Sequence, residues 1–212
     1  MPQTPKINYQ LALDKTLSEI TAANTRPSLL LHSCCAPCSS YVLEYLTKYF
    51  DITVYYYNPN ISPEKEYTHR VDEIRRLISE MCPSVSFIEG KYEPERFYEM
   101  AKGLESEPER GARCLKCYRM RLEESAKAAL SLGSDYFTTT LSISPQKDSA
   151  VLNVIGAELS EKYNIPYLYS DFKKRGGYKR SIELSAEFGL YRQNFCGCIF
   201  SKAEAERRNQ KT

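Results

Sequence analysis

Seven of the eight cysteines in this 212-residue chain fall into three short groups: Cys34, Cys35 and Cys38 within HSCCAPCSS, the pair Cys114 and Cys117, and the pair Cys196 and Cys198. Thiolate is the form of cysteine that binds metals and exchanges disulfides, and close spacing presents several sulfurs to one centre. Cys34, Cys35, Cys114 and Cys117 read as metal ligands, because packing seldom explains two close-spaced pairs in a reduced domain. For Cys38, packing and ligation both stand. Zinc favours a closed four-thiolate site built from two C-x-x-C knuckles, and the C-C-x-x-C group is not a clean knuckle. An iron–sulfur cluster tolerates less regular spacing and is the favoured occupant, although a ferredoxin-like electron carrier fits the spacing too. Arg113, Lys116 and Arg119 flank the second pair and would offset thiolate charge. A C-x-C pair closes a disulfide only in a small strained ring, which suits redox cycling; further ligation or plain thiols are the alternatives. Cys82, alone before Pro83, reads as a buried helix-end thiol.

These groups need a scaffold, and the hydrophobic periodicity supplies one. Leu11, Leu13, Leu17 and Ile20 predict a helix after Asn8, and residues 28–33 (SLLLHS) a buried strand. Val42, Leu43, Leu46 and Phe50 predict a second helix before the strand DITVYYY, residues 51–57. Asn58 to Asn60 make a turn, and Ser62 caps a helix that has Pro63 in its first position and runs to Glu80. Further strands are expected at Val85–Glu89, at residues 135–141 and, as a short fifth, at Pro166–Ser170. Helices are expected from Pro94 to about Lys102, from Arg113 to Leu132 with Gly133 as C-cap, and from Val151 to Tyr163. Residues 103–112 read as a polar loop, and a helix around Ser181–Phe188 precedes a charged final helix. Strands alternating with helices, without hairpin signals, imply an open parallel sheet covered on both faces. The expected organisation is one domain over 1–212, with a core at about 28–170 and a helical C-terminal extension at 171–212. In such sheets ligands bind beyond the carboxyl ends of the strands, where the first cysteine group falls.

Composition narrows the function. Twenty-nine Lys+Arg against 27 Asp+Glu give a net charge of +2, which excludes a strongly basic nucleic-acid coat and leaves only local contact. No apolar run reaches the ~20 residues of a membrane span, and MPQTPKINYQ lacks the pattern of a secretory leader, so a cytoplasmic location is expected. KKRGGYKR, residues 173–180, is the densest basic run and the candidate nucleic-acid contact through Lys173, Lys174 and Arg175, with a solvated loop as the plainer reading. His32 reads as a packed strand residue and His69 as a surface one. Thr138 to Thr140, Ser142 and Asn58 to Asn60 lie at strand ends and could line a pocket.

LHSCCAPCSSYVLEYL, YYYNPNISPEKEYTHRVDEI, ARCLKCYRMRLEESAKAA, FTTTLSISPQKD and NFCGC, in that order from about Leu29 to Phe200, resemble the QueH family of epoxyqueuosine reductases. The resemblance implies an adenine-nucleotide α-hydrolase-like (Rossmann-like) fold and a [4Fe-4S] cluster on Cys34, Cys35, Cys114 and Cys117. It also implies a redox-active pair, Cys196 and Cys198, and reduction of the epoxide on a modified base of the tRNA anticodon loop, the last step of queuosine biosynthesis. A second, mononuclear iron held by one of the adjacent Cys34 and Cys35 is a variant of the same scheme. The expected partners are tRNA carrying epoxyqueuosine and an unidentified electron donor. ATP-using relatives of the fold carry a Ser- and Gly-rich pyrophosphate loop after strand one; the glycine-free stretch here disfavours ATP-dependent thiolation. A zinc-stabilised RNA-binding module and a thiol–disulfide oxidoreductase are the rival readings.

Overall fold

The computed structural model describes residues 7–210; part of the opening segment read above for a leader lies outside them. The apolar residues of the 28–33 run alternate between two hydrophobic layers, which is why they form a strand buried on both sides. Leu29 and Leu31 of β1 (Ser28–His32) point into the layer made by α1 (Tyr9–Ala22), α2 (Ala36–Leu46) and α3 (Glu64–Met81). Leu30 points the other way, against α5 (Ala112–Ser131) and α6 (Ser149–Tyr163). Beside β1 lie β2 (Asp51–Tyr56) and β4 (Tyr136–Thr139), with β3 (Ser86–Glu89) outside β2. All pairings are parallel and the order is β3-β2-β1-β4. The chain therefore winds outward from β1 in one direction and later returns to its other side, so the crevice between the ends of β1 and β4 is a topological switch point.

Local differences from the sequence expectations have physical causes. The expected fifth strand at Pro166–Ser170 is a single bridge of Tyr167 to Phe137: Pro166 has no N–H to extend the ladder on one side, and on the other Ser170 N donates to Asn153 Oδ1 at 3.0 Å instead. The 135–141 strand stops at Thr139, whose hydroxyl accepts from Leu141 N and starts a 3-10 turn over Thr140–Ile143. Ser62 does not cap α3; the Ser62–Pro63 peptide is cis and Pro63 itself occupies the cap position. α4 (Pro94–Ala101) matches expectation, and residues 103–111 hold no regular structure.

Within the C-terminal extension, the helix expected at Ser181–Phe188 starts earlier, as α7 (Gly177–Glu187), and α8 (Ile199–Asn209) closes the chain. α7 packs closely on α2, and only glycine fits at 177: a Cβ there would run into the Phe172 carbonyl and the Tyr41 ring. Among the described residues no helix is long and apolar enough to cross a membrane.

Candidate active site

Each cysteine group lies at a helix N-terminus. Cys35 is the N-cap of α2, with Pro37 in the first turn; Cys114 sits in the first turn of α5; Cys198 is the N-cap of α8, its sulfur accepting from Ser201 N at 3.4 Å. Helix N-termini carry partial positive charge and unpaired N–H groups, which work in favour of thiolate at all three sites, against the burial that works for the neutral thiol. Arg110 N adds a hydrogen bond to the Cys114 sulfur at 3.3 Å.

The tightest cluster is Cys34, Cys35 and Cys38, whose sulfurs all lie within 4.8 Å of one another, with 3.8 Å between the first two. This trio could hold a metal ion: bonds of about 2.3 Å in a tetrahedral site put neighbouring sulfurs roughly 3.8 Å apart. Hydrogen bonds from the Cys35 and Cys38 thiols hold the Cys34 thiol well below its ordinary pKa, helped by the charges of Lys147 and Arg121. Donation to Cys34 correspondingly pushes Cys35 up to about 11 and Cys38 well above its ordinary value. The trio thus shares a thiolate.

The trio floors a cleft of about 240 Å³ at the switch point, whose walls include Lys147, Tyr178, Gln193 and Cys196. A second, much smaller cavity of about 20 Å³ adjoins it and is lined by Cys114, Cys117, Cys196 and Cys198. Cys196 lines both, so seven sulfurs surround two neighbouring voids. Burial pushes the Cys117 thiol up to about 12 and also raises Cys114 and Cys198.

Positive charge is buried around this centre. Arg70, Arg113 and Arg121 are each no more than 2% exposed. Arg121 donates to Asn58 Oδ1 and faces Cys117, Cys196 and Cys34, yet its Nε and Nη1 find no acceptor. Arg70 pairs with Glu66 at 2.7 Å and donates to the Cys196 carbonyl at 3.1 Å, leaving Nη2 unpartnered. Arg113 reaches the Leu104 and Glu105 carbonyls and stacks over Phe200, leaving Nε unpartnered. Buried cations with idle donors are costly unless anionic groups meet them. Lys147, half-buried, has no ion-pair partner among the described residues; burial works against its charge, but the neighbouring Cys196, Tyr118, Cys34 and Cys38 outweigh it and keep the ammonium protonated.

The structure thus brings Cys34, Cys35, Cys114, Cys117, Cys196 and Cys198 to one region and draws Cys38 into it. Cys82 stays apart, packed in the apolar layer under α3. His32 is fully buried between Thr139 Oγ1 at 2.8 Å and the Tyr57 carbonyl at 3.2 Å; burial lowers its pKa to about 3 and keeps it neutral, as a packed residue. His69 is exposed against Tyr191. Of the cations flanking Cys114 and Cys117, Arg113 is buried, whereas Lys116 and Arg119 face solvent and Arg119 pairs with Glu158. Lys173 braces the site loop, donating to the Ser142 carbonyl at 2.8 Å and pairing with Asp171 at 3.1 Å. Arg175 pairs with Asp14, and Lys174 is exposed without an ion-pair partner among the described residues. Arg121 escaped sequence reasoning, although its place four residues after Cys117 puts it on the same helix face. Arg70 and Lys147 carry no such local signal.

A parallel α/β sheet with a polythiol, cation-lined centre at its switch point defines a thiol-based metal or redox protein. Comparison with known proteins is more specific. The family described as epoxyqueuosine reductase QueH matches residues 29–204. The epoxyqueuosine reductase QueH of Staphylococcus epidermidis is 47% identical over 202 residues, covering 92% of this chain and 85% of that protein. That of Streptococcus pyogenes serotype M1 is 43% identical, covering 95% and 80%, and that of Thermotoga maritima 34% identical, covering 86% and 94%. The chain belongs to the QueH family.

Proposed function

We propose that the protein is an epoxyqueuosine reductase that removes the epoxide oxygen of epoxyqueuosine in a tRNA anticodon loop, giving queuosine. The observation that carries this reading is the convergence of seven thiols on two adjoining cavities at the switch point, with Arg70 and Lys147 lining one, Arg113 the other and Arg121 buried behind them, in a chain whose relatives bear that enzyme's name. The residues fit an iron–sulfur cluster: the donors are all thiols at helix N-termini, and the idle guanidinium donors would meet the negative charge of a thiolate-ligated group. Cys34, Cys35, Cys114 and Cys117 would hold a [4Fe-4S] cluster, which when bound would supply electrons singly.

Removing the oxygen consumes two electrons and two protons and releases water. Oxidation of the Cys196 and Cys198 dithiol to a disulfide supplies both electrons and both protons, and an external electron donor restores the dithiol. The cleft admits the splayed base, Lys147 offers a cationic hydrogen-bond donor to the epoxide oxygen, and Arg121 balances the thiolates behind it. Lys173, Lys174 and Arg175 stay the proposed contacts to tRNA phosphates, with Lys173 and Arg175 held meanwhile by Asp171 and Asp14. Such a substrate implies a cytoplasmic location. We assign the chain, as one domain, to the adenine-nucleotide α-hydrolase-like class on its sheet order and crevice.

The spacing of the sulfurs favours a second allocation of ligands. The 34–35–38 trio has the separation of a single-ion site, which suits a mononuclear iron, while Cys114, Cys117, Cys196 and Cys198 ring the other cavity and would take the cluster. Anaerobic visible and electron-paramagnetic-resonance spectra with iron and sulfide quantified, together with turnover of epoxyqueuosine tRNA, test both. In either allocation, Cys114→Ala/Cys117→Ala abolishes the cluster signal and turnover. Cys38→Ala removes one iron and spares the cluster only in the second. A colourless zinc protein would point to the RNA-binding module instead, and activity surviving Cys34→Ala/Cys35→Ala to a thiol–disulfide oxidoreductase.

A further inference from the structure

The wall of the cleft opposite the cysteine trio is the segment between α7 and Cys196, which has no regular secondary structure yet is pinned along its length. Tyr191 N donates to Glu73 Oε2 at 3.0 Å, Arg192 Nη1 donates to Ser185 Oγ at 2.9 Å, and the Cys196 carbonyl receives Arg70 at 3.1 Å. Between these anchors Gln193 lines the cleft, and its Oε1 is a buried acceptor that no donor of the protein reaches. Buried acceptors are normally paired, and an unpaired one in a pre-formed cleft marks a place where a ligand donor belongs.

Resting on the epoxyqueuosine reading, we propose that Gln193 is a specificity-determining residue: its carboxamide oxygen accepts a hydrogen bond from a hydroxyl or amine on the substituent that carries the epoxide. The cleft that Gln193 shares with Cys34, Cys38 and Cys196 is the one the epoxide enters, so the group within its reach is the modification rather than the ordinary face of the base. A substrate lacking the modification leaves Oε1 unpaired and loses that contact, which is how a buried polar group rejects an analogue. The anchors hold the segment before substrate arrives, so little ordering is spent on binding.

The test is filter binding of the iron-loaded protein to a tRNA carrying epoxyqueuosine and to the same tRNA with guanosine at that position, with turnover and iron per chain measured in parallel. Wild type binds the modified tRNA more tightly. Gln193→Leu weakens that binding about tenfold or more while affinity for the guanosine tRNA and iron content stay unchanged. Gln193→Glu, which keeps the acceptor, binds the modified tRNA within about threefold of wild type. The proposal is overturned if Gln193→Leu matches wild type on the modified tRNA, weakens both tRNAs alike, or is matched in its loss by Gln193→Glu. Wild type that neither distinguishes nor reduces the modified tRNA would overturn the underlying function as well; wild type that does both beside an unaffected Gln193→Leu overturns this inference alone.

Discussion

Arg121 shows how a single side chain reports what its site is for. Fully buried and with two donors idle, it would destabilise a protein whose neighbouring thiols stayed neutral. Placed against Cys117, Cys196 and Cys34, it makes their ionised forms cheaper, which is what metal ligation requires. On the proposed iron-bound reading, Arg121→Met is therefore expected to lose more than half of the bound metal on dialysis against a chelator that wild type withstands, as read by metal quantification per chain. Retention equal to wild type would reduce Arg121 to a packing residue. The cysteines themselves were legible in the sequence, because their residue type and spacing carry the chemistry. Of the cations only Arg113, beside Cys114, was; Arg70 and Lys147 were not, because they reach the centre from α3 and from the loop after β4, and no local pattern links them to a cysteine.

At the scale of elements, the recurring device is a helix start aimed at one place: α2, α5 and α8 each bring a cysteine in or at the first turn. The direction of α5 matters accordingly, and α4 braces it through Arg96 Nη2 and Glu124 Oε1 at 2.8 Å. Burial works to raise the Glu124 pKa, but the hydrogen bonds from Arg96 and Lys127 outweigh it and leave the carboxyl below its ordinary value. A lowered carboxyl contributes stability that is present above the unfolded value, about 4.3, and is lost as pH falls through the folded one. Arg96 is 38% exposed, so a double-mutant cycle of Arg96→Met and Glu124→Gln by urea unfolding should give a coupling of only about 0.2–1 kcal/mol at pH 7. That coupling should fade as pH falls below the unfolded value and through the lower folded one; a pH-independent value would mean that the two side chains interact by packing alone. The elements were largely readable, since apolar periodicity reports burial on two-sided strands and one-sided helices. Their ends were read less well: the 135–141 strand yields to a Thr139 turn, and α7 begins at Gly177, where the Phe172 carbonyl and the Tyr41 ring of α2 leave no room for a side chain.

Across the whole molecule, the thiols come from residues 34–38, 114–117 and 196–198, so a bound metal group would join the two ends of the fold through its middle. The C-terminal segment is built into the body: Arg180 pairs with Glu44 at 2.6 Å, and Arg113 reaches Glu204 at 3.8 Å from under Phe200. Calorimetry should show one unfolding transition for the chain, and on the proposed cluster reading, loss of the metal group should lower its midpoint by roughly 5–15 °C, since ligation by distant segments stabilises only the folded state. A separate low-temperature transition for the extension would argue for two independent units.

Residue types and their order along the chain were enough for the parallel α/β class, the three cysteine groups and the QueH resemblance, because each depends on local spacing or on periodic burial. Tertiary structure alone could decide which sulfurs share a cavity, that Cys38 stands with Cys34 and Cys35, that Lys173 and Arg175 are engaged within the protein, and that Gln193 faces the cleft. Apart from the Cys34–Cys35–Cys38 trio, which the start of α2 sets, those relations join residues tens of positions apart, and only the packing of helices on the sheet brings them within reach of one another.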